Sequence, residues 1–190
     1  MPPRDVLDAV GKVSWRATHR PKELALPRLI GARWTTRAQW HLTLQFLGTR
    51  VDLDEAADAL ATVRSAAPRV RLGGIGGFPS ERRANVVWLG VIEGARELST
   101  VAAAVGEEMA PLLATTDARE FHPHLTLARL TRPADLRAAV AAARSAPIGP
   151  RWQADRVVLF ESITASTGAR YRAHAHVALE PRNLRPDEFV

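Results

Sequence analysis

The chain has 190 residues, enough for one domain of ordinary size with a sizeable core. Its composition, 46% hydrophobic and 24% charged with no apolar run near the ~18 residues of a membrane span, excludes membrane insertion, and the lack of cysteine excludes a disulfide framework, a zinc finger, an iron–sulfur cluster and a thiol nucleophile. The net charge of +6 rests on 24 arginines and only two lysines, Lys12 and Lys22; it invites anionic partners such as nucleic acid, although Arg- and Ala-rich chains also arise from genomic base composition.

The N-terminus has neither a basic nor an apolar signal region, so a cytoplasmic protein is expected. Pro2-Pro3 leads directly into a helical pattern of Val6, Leu7 and Val10, and residues 14–31 match no clear element. A strand is expected over 40–47 and a helix over 53–67. Further strands are expected over 86–92, 124–130, 157–160 and 171–179, and further helices over 95–114 and 134–144. Gly73-Gly74-Ile75-Gly76-Gly77 lacks the order and the following helix of a dinucleotide loop and reads as a turn or bulge.

The tetrapeptide HLTL occurs twice, at 41–44 and 124–127, each time ahead of a helix, which suggests two related halves. For this composition, two chance copies have a probability on the order of 10⁻⁵. Strand alternation puts His41, Thr43 and Gln45 on one face and Leu42, Leu44 and Phe46 on the other. In the second copy His122, His124 and Thr126 oppose Phe121, Leu125 and Leu127. Each strand thus buries an apolar face and presents a histidine beside a threonine. Two such pairs suit a phosphate lying between them: one imidazole takes a proton from water, the other gives one to a leaving oxygen, and the hydroxyls donate to non-bridging oxygens. No metal or cofactor is required. Reactive nitrogens roughly 5 to 8 Å apart would hold such a phosphate.

The paired motif resembles the twin HxTx signatures of the two-histidine (2H) phosphoesterases, and more closely the bacterial RNA 2′,3′-cyclic phosphodiesterases of the 2′-5′ RNA ligase family. Arg33-Trp34, Gln39 to Leu44, Phe46-Leu47-Gly48, Phe78-Pro79-Ser80, Val87 to Gly90, Phe121 to Arg129 and Gly168 to Tyr171 extend the resemblance to roughly residues 4–180. It implies one α+β domain over 1–190, with two pseudo-symmetric lobes of antiparallel sheet and helices around a central cleft. It also implies hydrolysis of a 2′,3′-cyclic phosphate on RNA to a 2′-phosphomonoester, with His41 as proton donor and His124 as proton acceptor. The reverse reaction would account for the ligase label. Family members usually open with a short apolar strand ahead of the Pro-Pro; that first strand is expected to be missing here, with the start lying upstream unless residues 14–31 partly cover the gap.

Other residues are weighed beside these. Arg129 follows the second motif as in the family, yet alternation places it with Leu125 and Leu127, away from His124 unless the strand ends or twists. Arg170 and Arg172 share parity with His174 and read as a cationic wall for RNA phosphates or as solvated surface. Trp34 is a candidate for base stacking, whereas Trp40 and Trp88 read as core. His122-Pro-His124 and His174-Ala-His176 have the HxH spacing of metal sites, so a metal-dependent hydrolase is one alternative. An RNA-end binding module without turnover is another. His122 is expected to hydrogen-bond within the cleft, the protein to act as a monomer, and its partners to be RNA ends or nucleotides.

Overall fold

The computed structural model describes residue 29 and residues 31–114, 120–143, 146–165 and 168–181, without the side chains of 164, 165, 168 and 169. The expectations made for residues 1–28 and 30 lie outside these. In chain order the elements are β1 (Ala32–Trp34), α1 (Leu53–Thr62), β2 (Arg69–Phe78), β3 (Ala84–Glu93), α2 (Ala95–Met109), β4 (His124–Ala134), α3 (Arg137–Ala143), β5 (Pro147–Gln153), β6 (Arg156–Ala165) and β7 (Gly168–Ala178). β1-β4-β3-β2-β5 form a five-stranded sheet and β6-β7 a two-stranded one, every ladder antiparallel. The fold is α+β as expected, with lobes of unequal size.

Two cores divide the apolar residues. Trp40, Val87, Leu89, Leu125 and Leu127 fill the first, between the large sheet and α3. In the second, Ala56 and Leu60 of α1 meet Val101, Val105 and Met109 of α2 over Val157 and Leu159 of β6. These helical residues lie four apart, on one face of an amphipathic helix. α1 starts where the Asp52 carboxylate accepts the Asp54 and Glu55 amides, at 2.9 and 3.1 Å. Each fully buried leucine contributes about 1.5 to 3 kcal/mol.

Several boundaries differ from expectation. Residues 40–47 form no ladder strand; Leu42 alone bridges to Leu125. The first helix stops at Thr62, because the chain extends from Val63 so that Ala66 and Ala67 can pair with Glu180. Residues 73–77 lie inside β2, where a bulge occurs at Gly74 with φ 65°. Gly76 serves a different end: a Cβ there would fall 2.0 Å from the Trp88 ring, so the glycine is what lets that ring lie against β2. β5 has no counterpart among the expected strands, since Pro147 and Pro150 argue against one; they are accommodated because β5 is an edge.

Candidate active site

β4 opens on the second motif, with Leu125 buried and His124 and Thr126 half-buried. Leu42 is joined to Leu125 by an antiparallel bridge. Residues flanking such a bridge oppose one another in turn, so His41 lies across from Thr126 and Thr43 across from His124. Both leucines pack into the first core, which turns the four polar residues to the opposite face. The histidines are then diagonal neighbours, their Cα atoms about 7 to 8 Å apart by strand geometry.

Both imidazoles are held alike. His41 Nδ1 donates to the Gln39 carbonyl at 2.8 Å, and His124 Nδ1 to the His122 carbonyl at 2.6 Å. A carbonyl only accepts, so the proton sits on Nδ1 and Nε2 is left for exchange. Burial is the main cause that pushes His41 below its ordinary 6.5; the Gln39 carbonyl opposes this and the Arg129 charge adds to it. His124 is likewise lowered, first by burial, against the His122 carbonyl, with the charges of His122, His41 and Arg129 acting in the same direction as burial. Burial and the Arg129 charge thus act in the same direction on both rings.

Aromatic rings flank each histidine. Tyr171 meets His41 edge-on with centroids 4.7 Å apart, and Phe160 lies at 6.2 Å; both come from the β6–β7 hairpin. Phe78 meets His124 edge-on at 4.9 Å and Trp88 lies at 5.9 Å, both from the β2–β3 hairpin. These four were missed as site residues. Trp88 pairs with Thr126 and so faces the histidines, although an apolar run from Val86 to Leu89 offers no alternation from which to read this. His122 is exposed, 4.7 Å from the Trp88 ring, and contributes its carbonyl to His124.

Arg129 requires a correction. Trp88 pairs with Thr126 and Val87 with Ala128, which leaves Leu127 as an extra residue in β4. This bulge reverses the alternation: Leu127 and Ala128 are both buried, and Arg129 emerges on the face of His124 and Thr126. Its charge reaches both histidines. Thr35, also missed, serves the bulge. Its amide donates to the Leu127 carbonyl, and its hydroxyl lies 2.7 and 2.9 Å from the Thr126 and Leu127 carbonyls while accepting from the buried Trp40 indole at 3.0 Å.

The remaining expectations fare differently. Trp34 pairs with buried Ala128 and packs against the first core, so it turns away from the histidines and cannot stack a base there. Trp40 is core, as expected. Tyr171 points at His41, so its neighbours Arg170 and Arg172 project from the other face of β7, where Arg172 pairs with Glu161 at 2.7 Å. They form no wall beside His41. His174 occupies a bulge in β7 and lies 3.2 Å from Asp54. Among the described residues, no three His, Asp or Glu side chains gather as a metal set. A cavity of about 710 Å³ is bordered at one end by His41, Thr43, Phe160 and Tyr171 and continues into the apolar space between the helices and β6. A second, of about 440 Å³, is bordered by Trp88, His122 and Pro123.

A family model for the 2′-5′ RNA ligase superfamily matches residues 12–164. An RNA 2′,3′-cyclic phosphodiesterase of Aeropyrum pernix is 38% identical over 93 residues, covering 48% of this chain and 53% of the relative. Its counterpart in Escherichia coli is 33% identical over 119 residues, 62% of each. The matches thus span little more than half the length of these relatives. Among solved structures, a Thermus thermophilus protein superposes with a TM-score of 0.72 at 26% identity over 96% of both chains. E. coli LigT complexed with 3′-AMP does so with a TM-score of 0.67 at 26% identity over 94% of both.

Proposed function

This chain belongs to the 2′-5′ RNA ligase superfamily, and within it we propose that the protein hydrolyses the 2′,3′-cyclic phosphate of an RNA or nucleotide end to a 2′-phosphomonoester, with no metal ion. The observation that carries this reading is the crossed register at Leu42 and Leu125, which sets each histidine opposite the threonine of the other motif. His124 Nε2 takes a proton from water as its oxygen attacks phosphorus in line with the 3′-oxygen. The P–O3′ bond breaks as His41, protonated at Nε2, gives its proton to O3′. One water is consumed, a 2′-phosphate and a free 3′-hydroxyl result, and exchange with solvent returns the pair to its starting protonation. Thr43 and Thr126 donate hydrogen bonds to the non-bridging oxygens, and Arg129 offsets the charge that builds there.

The names of the relatives, RNA 2′,3′-cyclic phosphodiesterases, support the reaction class. The solved complexes of E. coli LigT with 3′-AMP and with phosphate support a nucleotide phosphate as the ligand. We further read the protein as a cytoplasmic monomer, on its cysteine-free composition and on Phe46 and Ile163 being the large apolar side chains exposed among the described residues. No helix among those residues is long and apolar enough to cross a membrane.

Incubation with a 2′,3′-cyclic nucleotide in EDTA, with the product isomer identified by chromatography, tests the reaction. The 2′-phosphate is expected. The 3′-isomer, or turnover lost to EDTA, would overturn the mechanism, and binding without turnover would leave an RNA-end binding module.

A further inference from the structure

The face of β4 that carries His124, Thr126 and Arg129 continues onto β1. The ladder sets Arg33 directly opposite Arg129, and directly opposed residues of an antiparallel pair send their side chains to one face. Arg33 therefore stands beside Arg129 on the histidine face, the two Cβ atoms about 4.5 to 5.5 Å apart. Both side chains are exposed, and among the described residues β1 is the edge of the sheet.

Like charges directly opposed weaken a ladder. Other arginines are arranged to avoid this: Arg137 sits against Asp135, Arg151 against Glu93, Arg156 against Asp155 and Arg172 against Glu161. Among the described residues, neither the Arg33 nor the Arg129 side chain has an ion pair or a hydrogen bond. Nor does folding require an arginine at 33, since Trp34 supplies the apolar packing of β1. An anion between two guanidinium forks removes the repulsion, and phosphate oxygens match their geometry. Arg129 lies three residues beyond Thr126, about 10 Å along an extended strand and less across the bulge. Two extended arginine side chains on that row reach a phosphate next to the reacting one.

We propose that Arg33, together with Arg129, binds the phosphodiester adjoining the terminal nucleotide, so that the enzyme selects oligoribonucleotide ends over 2′,3′-cyclic mononucleotides. This rests on the cyclic-phosphate reading above. Each such contact is charge-assisted and so weakens with salt, which separates it from recognition of the base.

The test compares kcat/KM on a short oligoribonucleotide ending in a 2′,3′-cyclic phosphate with kcat/KM on the matching cyclic mononucleotide. Wild type is expected to favour the oligonucleotide by about tenfold or more at low salt, with the ratio falling as salt rises. Arg33→Gln should lower that ratio at least about fivefold, while Arg170→Gln, the same charge change on another face, leaves it in place. A ratio near one in wild type, or one that Arg33→Gln does not change, would overturn the proposal. Anisotropy titration of a labelled oligonucleotide ending in a 2′-phosphate gives a readout that needs no turnover. Weaker binding by Arg33→Gln in a protein that hydrolyses neither substrate would keep the phosphate site and end the catalytic reading; equal binding would end the site.

Discussion

Leu42 bridges to Leu125 in antiparallel register, and that contact between two apolar residues sets which polar side chains share the far side of the two segments. Shifting either strand by one residue would turn a histidine and a threonine into the core and two leucines into the site. The hydrophobic effect thus supplies the positional accuracy that the proposed proton transfer needs.

Leu125 is fully buried, so Leu125→Ala is expected to cost about 2 to 5 kcal/mol in denaturant unfolding, transfer and cavity terms together. Half-buried Leu42 should cost less as Leu42→Ala, yet lower turnover all the same, because the bridge sets the register. A Leu42→Ala enzyme with wild-type kcat would show that the register survives without it.

Both histidines lie below 6.5 in the folded protein, and kcat/KM reports the free enzyme. The profile of kcat/KM against pH should be a bell centred on the acid side of 6.5, its limbs belonging to the pair. The Arg129 charge holds both values down, so Arg129→Gln should move the whole bell to higher pH; a shift to lower pH would contradict the assigned field. Stability follows the same linkage. Below 6.5 the unfolded chain binds protons that the native imidazoles resist, so Tm should fall as pH drops from above 6.5 toward about pH 5, and less steeply in a variant lacking both histidines.

The twin motif made the histidines and threonines legible, because identical tetrapeptides at strand spacing declare a polar and an apolar face. Arg129 was not, since a single extra residue at Leu127 inverts the alternation and the bulge depends on Thr35, 92 residues away in sequence. Tyr171, Phe160, Phe78 and Trp88 belong to hairpins whose own patterns are mostly apolar, so nothing local separates a residue facing the site from one facing the core. Trp34 and Trp88 exchanged roles for the same reason: cross-strand register decides, and register is a long-range property.

Thr35 joins the Trp40 indole to the bulge carbonyls, so Thr35→Val should cost about 1 to 3 kcal/mol by leaving buried groups unpaired. Because the bulge aims Arg129, turnover should fall as well, and the bell should move toward that of Arg129→Gln. Thr35→Ser, which keeps the hydroxyl, should restore the profile.

Tyr171 covers the His41 ring edge-on, and burial is the chief cause of that ring's lowered pKa. NMR titration should therefore find His41 moved toward 6.5 in Tyr171→Ala and close to wild type in Tyr171→Phe, which keeps the ring. Equal shifts in the two variants would assign the effect to the hydroxyl instead.

The most direct measurement is the single-turnover rate, in EDTA, of wild type, His41→Ala, His124→Ala and the double variant on one 2′,3′-cyclic nucleotide, with folding verified by Tm. Since acid and base act in one step, each single variant should be slower by about 10²-fold or more and the double variant little slower still, with Thr43→Ala and Thr126→Ala losing less. A His124→Ala enzyme of near-normal rate, or losses in the two single variants that multiply in the double, would contradict the paired-histidine mechanism.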